Sequence, residues 1–351
     1  MEQIALIAGQ FVFYWKPLLL MGGTVTSIFL FLWLYLQEDG RSLSAACAVP
    51  LALALGLILS RLVHWYCRPG DYASIEAALQ DYSSGGFALI GVFCGCLAAA
   101  LLLRLFRISD SAPAMLDCMS IAGAAGIAIG RLSSFFDSSD RGILLKELRS
   151  LPLAYPVTNP VSGAQEYRLA TFLIQAIAAA VIFLLLTALY PPLRKRGRLR
   201  AGDGCLLFLL LYCSTQVVLD STRYDSLPFR SNGFVSVVQV FSALAIGFVV
   251  LASSVRLVKL RGLRIWCFGL WALIAAMLGI AGYMEYYVQR HGSLAVFSYS
   301  IMSAALAVIA AAVIVMMILT PVSKPRTGKY LRQKPPAEPR RRLSAEIPAG
   351  E

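Results

Sequence analysis

Charge is scarce in this chain. Only 14% of its 351 residues are Asp, Glu, Lys or Arg, while 58% are hydrophobic, and the mean hydropathy is +0.71. Such a composition excludes a soluble globular domain. The apolar runs are continuous and do not alternate with polar residues, which excludes strand-based spanning. Histidine is almost missing, with His64 and His291 alone, and the eight cysteines lie mostly within apolar runs, where a thiol behaves as a small hydrophobe. Cys94-Gly95-Cys96 is not a metal-ligand spacing, so no metal site is expected. Nucleic acid is not an expected partner either: the net charge of +12 comes with no binding motif, and its excess lies in loops and the tail. A basic n-region is absent from Met1-Glu2-Gln3, so the first apolar run reads as an uncleaved span.

What is present is a series of apolar runs long enough to cross a bilayer. They predict an all-α, polytopic transmembrane helical bundle with spans near 17–36, 43–66, 85–106, 113–130, 169–190, 204–220, 234–255, 265–287 and 298–320. With the N-terminus outside, the inner segments hold about 20 Lys and Arg against about 10 on the other side, the bias that orients membrane proteins. The C-terminus then lies inside. Within the longest connection, 131–168, Leu144 to Leu148 could form a short surface helix. The tail beyond residue 320 is rich in Pro, Lys and Arg, and is expected to be disordered.

Four constellations could carry chemistry. Glycines 85, 86, 91 and 95 open the third span, and either pack helices closely or admit a lipid headgroup. Arg131 ends a small-residue span and precedes Ser133, Ser134 and Asp137; it either snorkels to the interface or binds phosphate through its planar fork. Tyr212, Gln216, Asp220 and Arg223 recur at helical spacing, so one face of the sixth span is polar. Such a stripe must look into the bundle, as a structural zipper or a wet site. Arg168 and Gln175 share a face at the start of the fifth span, and Arg61 completes a set of cations at one membrane face. Asp117, near the inner end of the fourth span, reads as a carboxylate satisfied at a helix start.

These elements, in this order, resemble the bacterial prolipoprotein diacylglyceryl transferase family. Gly85-Gly86 through Gly95 is similar to its Gly-Gly-Met-x-x-His-Gly-Gly-x-x-Gly opening. Gly130-Arg131-Leu132-Ser133-Ser134-Phe135 through Gly142 is similar to its Gly-Arg-Ile-Gly-Asn-Phe-x-Asn-x-Glu-x-x-Gly signature. Arg168 to Ala176, and Tyr212 to Arg223, resemble two further family stretches, and Gln239 fits the Gly-Gln that opens the family's last span. The resemblance covers roughly residues 12–255, seven spans. It departs where the family's His falls on Ile90, its Asn on Ser134, its Glu on Ser139, the central Arg of the sixth span on Gln216 and the first-span Tyr on Lys16.

The resemblance implies transfer of a diacylglyceryl group from phosphatidylglycerol to a lipobox cysteine thiol, with glycerol phosphate leaving, in the bacterial cytoplasmic membrane. It implies no metal and no soluble cofactor. The partners would be phosphatidylglycerol or another anionic phospholipid, the preprolipoprotein signal peptide and membrane lipids. Asp220 and Tyr212 are the expected catalytic residues. Arg131, Arg223, Arg168, Gln216, Ser134, Gly85, Gly86 and Gly91 are the expected substrate-binding residues. Residues 1–255 would form the transferase-like unit, 256–320 two additional helices and 321–351 a basic tail. The replaced residues keep a second expectation open, a non-catalytic relative that binds phospholipid or a partner. A transporter with the arginines as an anion path is the third, though no internal repeat is evident.

Overall fold

In the computed structural model the described residues are 4–8, 11–38, 40–80, 86–137, 139–145, 153–159, 162–228, 235–291 and 294–320. Gly85, Arg230, residues 146–148 of the expected surface helix and the tail 321–351 lie outside them. Ten helices are described: α1 (Trp15–Gln37), α2 (Ser42–Cys67), α3 (Ile75–Gln80), α4 (Leu89–Leu105), α5 (Ala112–Arg131), α6 (Thr171–Lys195), α7 (Asp203–Ser221), α8 (Val237–Arg261), α9 (Ile265–His291) and α10 (Ala295–Ile318). Eight are long and apolar enough to cross a membrane. The expected third span corresponds to α4, which is shorter at 17 residues. The chain is therefore an all-helical, multi-pass membrane protein.

Each boundary follows from local chemistry. Ser111 caps α5 by accepting from Ala114 N at 3.3 Å, and Pro113 follows where a missing N–H costs nothing. Ser236 and Gln239 form a reciprocal capping box on α8. Side chains such as Val25, Phe29, Leu184, Leu244 and Phe248 point outward, as lipid-facing residues do. The inner faces form two cores. One gathers α1, α2, α4, α5, α6 and the Phe208/Tyr212 side of α7; the other gathers the Leu210/Cys213 side of α7 with α8, α9 and α10. Helix α7 is thus the shared wall, apolar on two sides and polar on a third. A small cluster of Cys67, Ile90 and Val237 joins α2, α4 and the start of α8.

Small residues let two pairs of helices approach backbone to backbone. A Cβ on Gly91 would lie 2.2 Å from Ser60 Cα, and one on Gly126 would lie 2.8 Å from the Gly23 carbonyl oxygen. Close packing of α2 against α4, and of α1 against α5, accounts for both glycines.

Two small hairpins were not anticipated. Strands β1 (Ile4–Ala8) and β2 (Phe11–Tyr14) pair antiparallel before α1. Strands β3 (Ala154–Thr158) and β4 (Gln165–Leu169) pair antiparallel between α5 and α6, and beyond the pairing Asn159 N donates to Ala164 O at 2.9 Å. Two corrections follow. Leu144 bridges Arg168, and Leu145 N donates to Tyr167 O, so this start of the expected surface helix is extended chain that pairs with β4. Arg168 sits in β4 and not at the head of a span, because backbone pairing carries the chain to Leu169 before α6 begins.

Two glycines of α5, three positions apart, behave differently. A Cβ on Gly123 meets nothing within 4 Å, whereas one on Gly126 collides with Ser27 of α1. Gly126→Leu is expected to cost about 1–3 kcal/mol through overpacking, and Gly123→Leu much less, read as melting temperatures of the detergent-solubilised protein.

Candidate functional site

Helix α5 ends in Arg131, and a 3-10 turn, Leu132–Phe136, follows it. The chain then doubles back at Asp140, whose φ of 57° lies in the left-handed region. That conformation costs a non-glycine residue about 1–3 kcal/mol unless its surroundings hold it. Here they do. Asp140 N donates to Asp225 Oδ2 at 2.8 Å, Phe172 N donates to Asp140 O at 3.2 Å, and Tyr224 N donates to Arg141 O at 3.1 Å. Gly142 N donates to Leu169 O at 2.8 Å. The loop is thereby tied to the start of α6 and to the chain leaving α7.

The Asp140 side chain is the centre of the site. Arg131 Nη1 lies 3.0 Å and Arg223 Nη2 2.8 Å from its Oδ1, and Ser134 Oγ donates to its Oδ2 at 2.8 Å. Arg223 is held by two more carboxylates, with Nη1 3.3 Å from Asp220 Oδ1 and Nε 3.1 Å from Asp225 Oδ1. Asp220 is 1% exposed and also accepts from Ser236 Oγ. Tyr212, buried on the same stripe of α7, interacts with the Arg131 guanidinium. Arg131 and Arg223 thus converge, from the end of α5 and from beyond α7, on one carboxylate oxygen.

The other expected site residues fall into three places. Gln216 accepts from Gln175 Nε2 at 3.0 Å across α6 and α7, leaving Gln175 Oε1 and Gln216 Nε2 buried with no hydrogen-bond partner among the described residues. Arg168 pairs with Glu166 at 3.0 Å and lies over the Tyr224 ring at 4.6 Å, at the edge of the cluster. Gly86 is further away, beside Arg61, His64 and Tyr72, where any Cβ would strike Tyr72 Oη at 2.5 Å; its φ of 78° also favours glycine. Arg61, toward the same end of the bundle, is turned to a structural use. It is 0% exposed and donates to the carbonyls of Ala78 and Gly86, tying α2 to the segment that follows it. His64 Nδ1 is 3.0 Å from Tyr72 Oη in the same pocket of side chains.

Three residues of the candidate site escaped sequence reasoning. Asp140 stands one position beyond Ser139, where the resemblance puts the family's Glu, so a one-residue slip in the motif would have found it. Asp225 lies just past the polar stripe. Arg141, 0% exposed, is clamped between the Tyr155 and Phe172 rings, with its carbon centre 3.8 and 4.5 Å from their centroids. Its Nη2 donates to Ser134 O at 2.7 Å and to Asp137 O, holding the 3-10 turn in place. Lys16, where the family has Tyr, pairs with Asp137.

At the opposite end of the bundle Asp117 of α5 is fully buried. It accepts from Gly202 N at 2.7 Å, Cys205 N at 2.8 Å and Tyr190 Oη at 2.6 Å. It satisfies the N-terminus of α7, not of its own helix, and is a structural tie.

The chain is thus of the class of multi-pass helical membrane bundles, with a largely buried arginine–carboxylate cluster at one end of its helices. The chain belongs to the prolipoprotein diacylglyceryl transferase family, whose sequence profile matches residues 3–252. It is similar to phosphatidylglycerol–prolipoprotein diacylglyceryl transferases from several bacteria. The relative from Thermotoga maritima is 28% identical over 205 residues, 57% of this chain and 67% of that protein. The one from Synechococcus elongatus is 31% identical over 202 residues, 55% and 65% of the two chains, and that from Parasynechococcus marenigrum 27% over 226 residues, 62% and 76%. Helices α9 and α10 lie beyond the matched residues.

The pH dependence follows from Asp140. Burial alone would raise its carboxyl, but the Arg131 and Arg223 guanidiniums and the Ser134 hydroxyl outweigh burial and hold it well below the usual carboxylate range. A depressed folded-state pKa contributes stability above the unfolded value, about 3.9, and loses it as pH falls toward the folded one. The cluster is therefore expected to contribute fully from pH 8 to 5 and to weaken below about pH 4. Asp140→Asn is expected to cost about 3 kcal/mol at neutral pH, because it removes the one carboxylate paired with the largely buried Arg131 among the described residues, and one of the three that hold Arg223. Asp225→Asn should cost less, since Arg223 keeps two other carboxylates. Melting temperatures across this pH range check the order.

Proposed function

We propose that the chain transfers a diacylglyceryl group from phosphatidylglycerol, or another anionic phospholipid, to the lipobox cysteine of a preprolipoprotein at the outer face of a bacterial cytoplasmic membrane. In that reaction the cysteine sulfur forms a bond to the terminal glyceryl carbon. The bond from that carbon to the phosphate oxygen breaks, glycerol phosphate leaves with the electron pair, and the thiol proton passes to a base. The observation that carries the reading is the convergence of Arg131 and Arg223 on Asp140 Oδ1. Two guanidiniums aimed at one oxygen mark a point where negative charge is stabilised, which is what a departing phosphate requires. An entering phosphate would take over N–H donors that Asp140 now receives, with Ser134 and Arg168 at the margin. Asp220, beside Arg223, is the candidate base, and Tyr212 orients Arg131. His64, brought against the glycine segment whose own family His falls on Ile90, is the alternative base. Family membership supports the substrates, since the relatives carry both in their names.

One observation favours a second reading, a non-catalytic phospholipid-binding relative. Both oxygens of Asp220 are engaged, one by Arg223 and the other by Ser236, which weakens it as a base.

Complementation separates the two. In a strain depleted of its own transferase, this chain is expected to restore lipidation of a test prolipoprotein labelled with radioactive fatty acid. Arg223→Ala should lower the rate about a hundredfold, the usual effect of removing one oxyanion donor. No label above background, with saturable phosphatidylglycerol binding that Arg131→Ala weakens, would establish the second reading. Absence of both label and binding would overturn both.

A further inference from the structure

Helices α9 and α10 lie beyond the matched family segment, yet α9 reaches the site. Ser221 Oγ donates to Glu285 Oε1 at 2.9 Å and Gln239 Nε2 donates to it at 2.8 Å. Gln289 Nε2 donates to the same oxygen. One carboxylate oxygen on α9 thus fixes side chains from α7, α8 and α9, while Glu285 Oε2 is buried with no hydrogen-bond partner among the described residues. Tyr299 of α10 adds a contact to Ser221 at 3.3 Å.

The three side chains that Glu285 fixes all line one cavity of about 300 Å³, together with Asp220, Ser226 and Ser236. That volume is at the small end of the range for small-molecule sites, roughly 300–1,000 Å³. Its walls carry hydroxyls, amides and one carboxylate beside the apolar Pro228 and Val235, with no lysine or arginine among the described lining residues. Amides and hydroxyls both donate and accept, which suits a neutral polyol. The cavity is not remote from the cations. Asp220 lines it and pairs with Arg223, which pairs in turn with Asp140 and so faces Arg131. A ligand with its phosphate at the two arginines would extend its next few atoms past Asp220 into this space.

We infer that the appended helices complete a subsite for the neutral diol end of a phospholipid headgroup, with Glu285 the positioning residue that holds Ser221, Gln239 and Gln289 in contact with the hydroxyls. The inference rests on the proposed site for the lipid phosphate and adds to it what the headgroup must carry beyond that phosphate. A site built to bond hydroxyls rejects analogues that lack them, because its own polar groups are then left unpaired. The subsite therefore distinguishes phosphatidylglycerol from phosphatidic acid, which offers the phosphate alone. Glu285 acts by accepting three donors through one oxygen, so a glutamine there keeps the arrangement and an alanine does not.

The test is binding to full-length protein in phosphatidylcholine nanodiscs doped with phosphatidylglycerol, phosphatidic acid or phosphatidylethanolamine, with melting temperatures measured alongside. Wild type is expected to prefer phosphatidylglycerol to phosphatidic acid by tenfold or more, about the effect of one or two hydrogen bonds. Glu285→Ala should bring that ratio close to one, Glu285→Gln should retain most of it, and Gln289→Ala, on an exposed side chain that need not affect folding, should lower it severalfold. If wild type prefers phosphatidylglycerol and both Glu285→Ala and Gln289→Ala keep the full ratio, the subsite is wrong while the phosphate site stands. Equal binding of the two anionic lipids by wild type, or tighter binding of phosphatidylethanolamine, overturns it as well. If wild type binds neither anionic lipid saturably, the proposed function itself fails.

Discussion

Two guanidiniums and one carboxylate, withdrawn from water together, set the terms for the structure around them. In a low-dielectric setting a lone buried charge costs several kcal/mol, and only close, well-directed partners offset it. Arg131 cannot retreat to the surface, because it ends a helix packed on α1 and α6. Arg223 follows directly on α7, the wall shared by both cores. Asp140 must therefore be brought to them. The left-handed turn, the ties to Asp225, Phe172 and Tyr224, and the clamp on Arg141 all serve that placement.

The two ends of α5 answer the same electrostatic problem in different ways. Asp117 is satisfied largely by backbone N–H groups at the start of α7, which cannot be redirected without unwinding a helix. Asp140 is satisfied by side chains, and a guanidinium has five donors that can turn to a new acceptor. The first arrangement can only hold the bundle together. The second can exchange one anion for another, which is the property a headgroup site needs. Glu285 belongs to the second kind, since every group that it holds is a side chain.

Much of this could be read in advance, for identifiable reasons. The spans were legible because hydrocarbon demands long, uninterrupted apolar runs. The stripe of Tyr212, Gln216 and Asp220 was legible because helical periodicity puts such residues on one face, and all three are buried. Arg131 stood out because an arginine at the end of a small-residue helix is costly. Other features lacked any local signal. The β3–β4 hairpin lies in a polar stretch with no strict alternation, and Arg61 shows no sign in sequence of the carbonyls that will bury it. The motif register hid Asp140, because a position in a motif records order along the chain and not where a side chain ends up.

The sequence by itself determined that this is a multi-pass helical membrane protein, which helix faces are polar and which family motifs it carries, since apolar run length and helical spacing are properties of neighbouring residues. Only the tertiary structure decided that Arg131 and Arg223 share Asp140, that Gln175 meets Gln216, and that an added helix brings Glu285 to the rim of the site. Those pairings join residues dozens of positions apart, and which charges meet inside a bundle is fixed by how its helices pack.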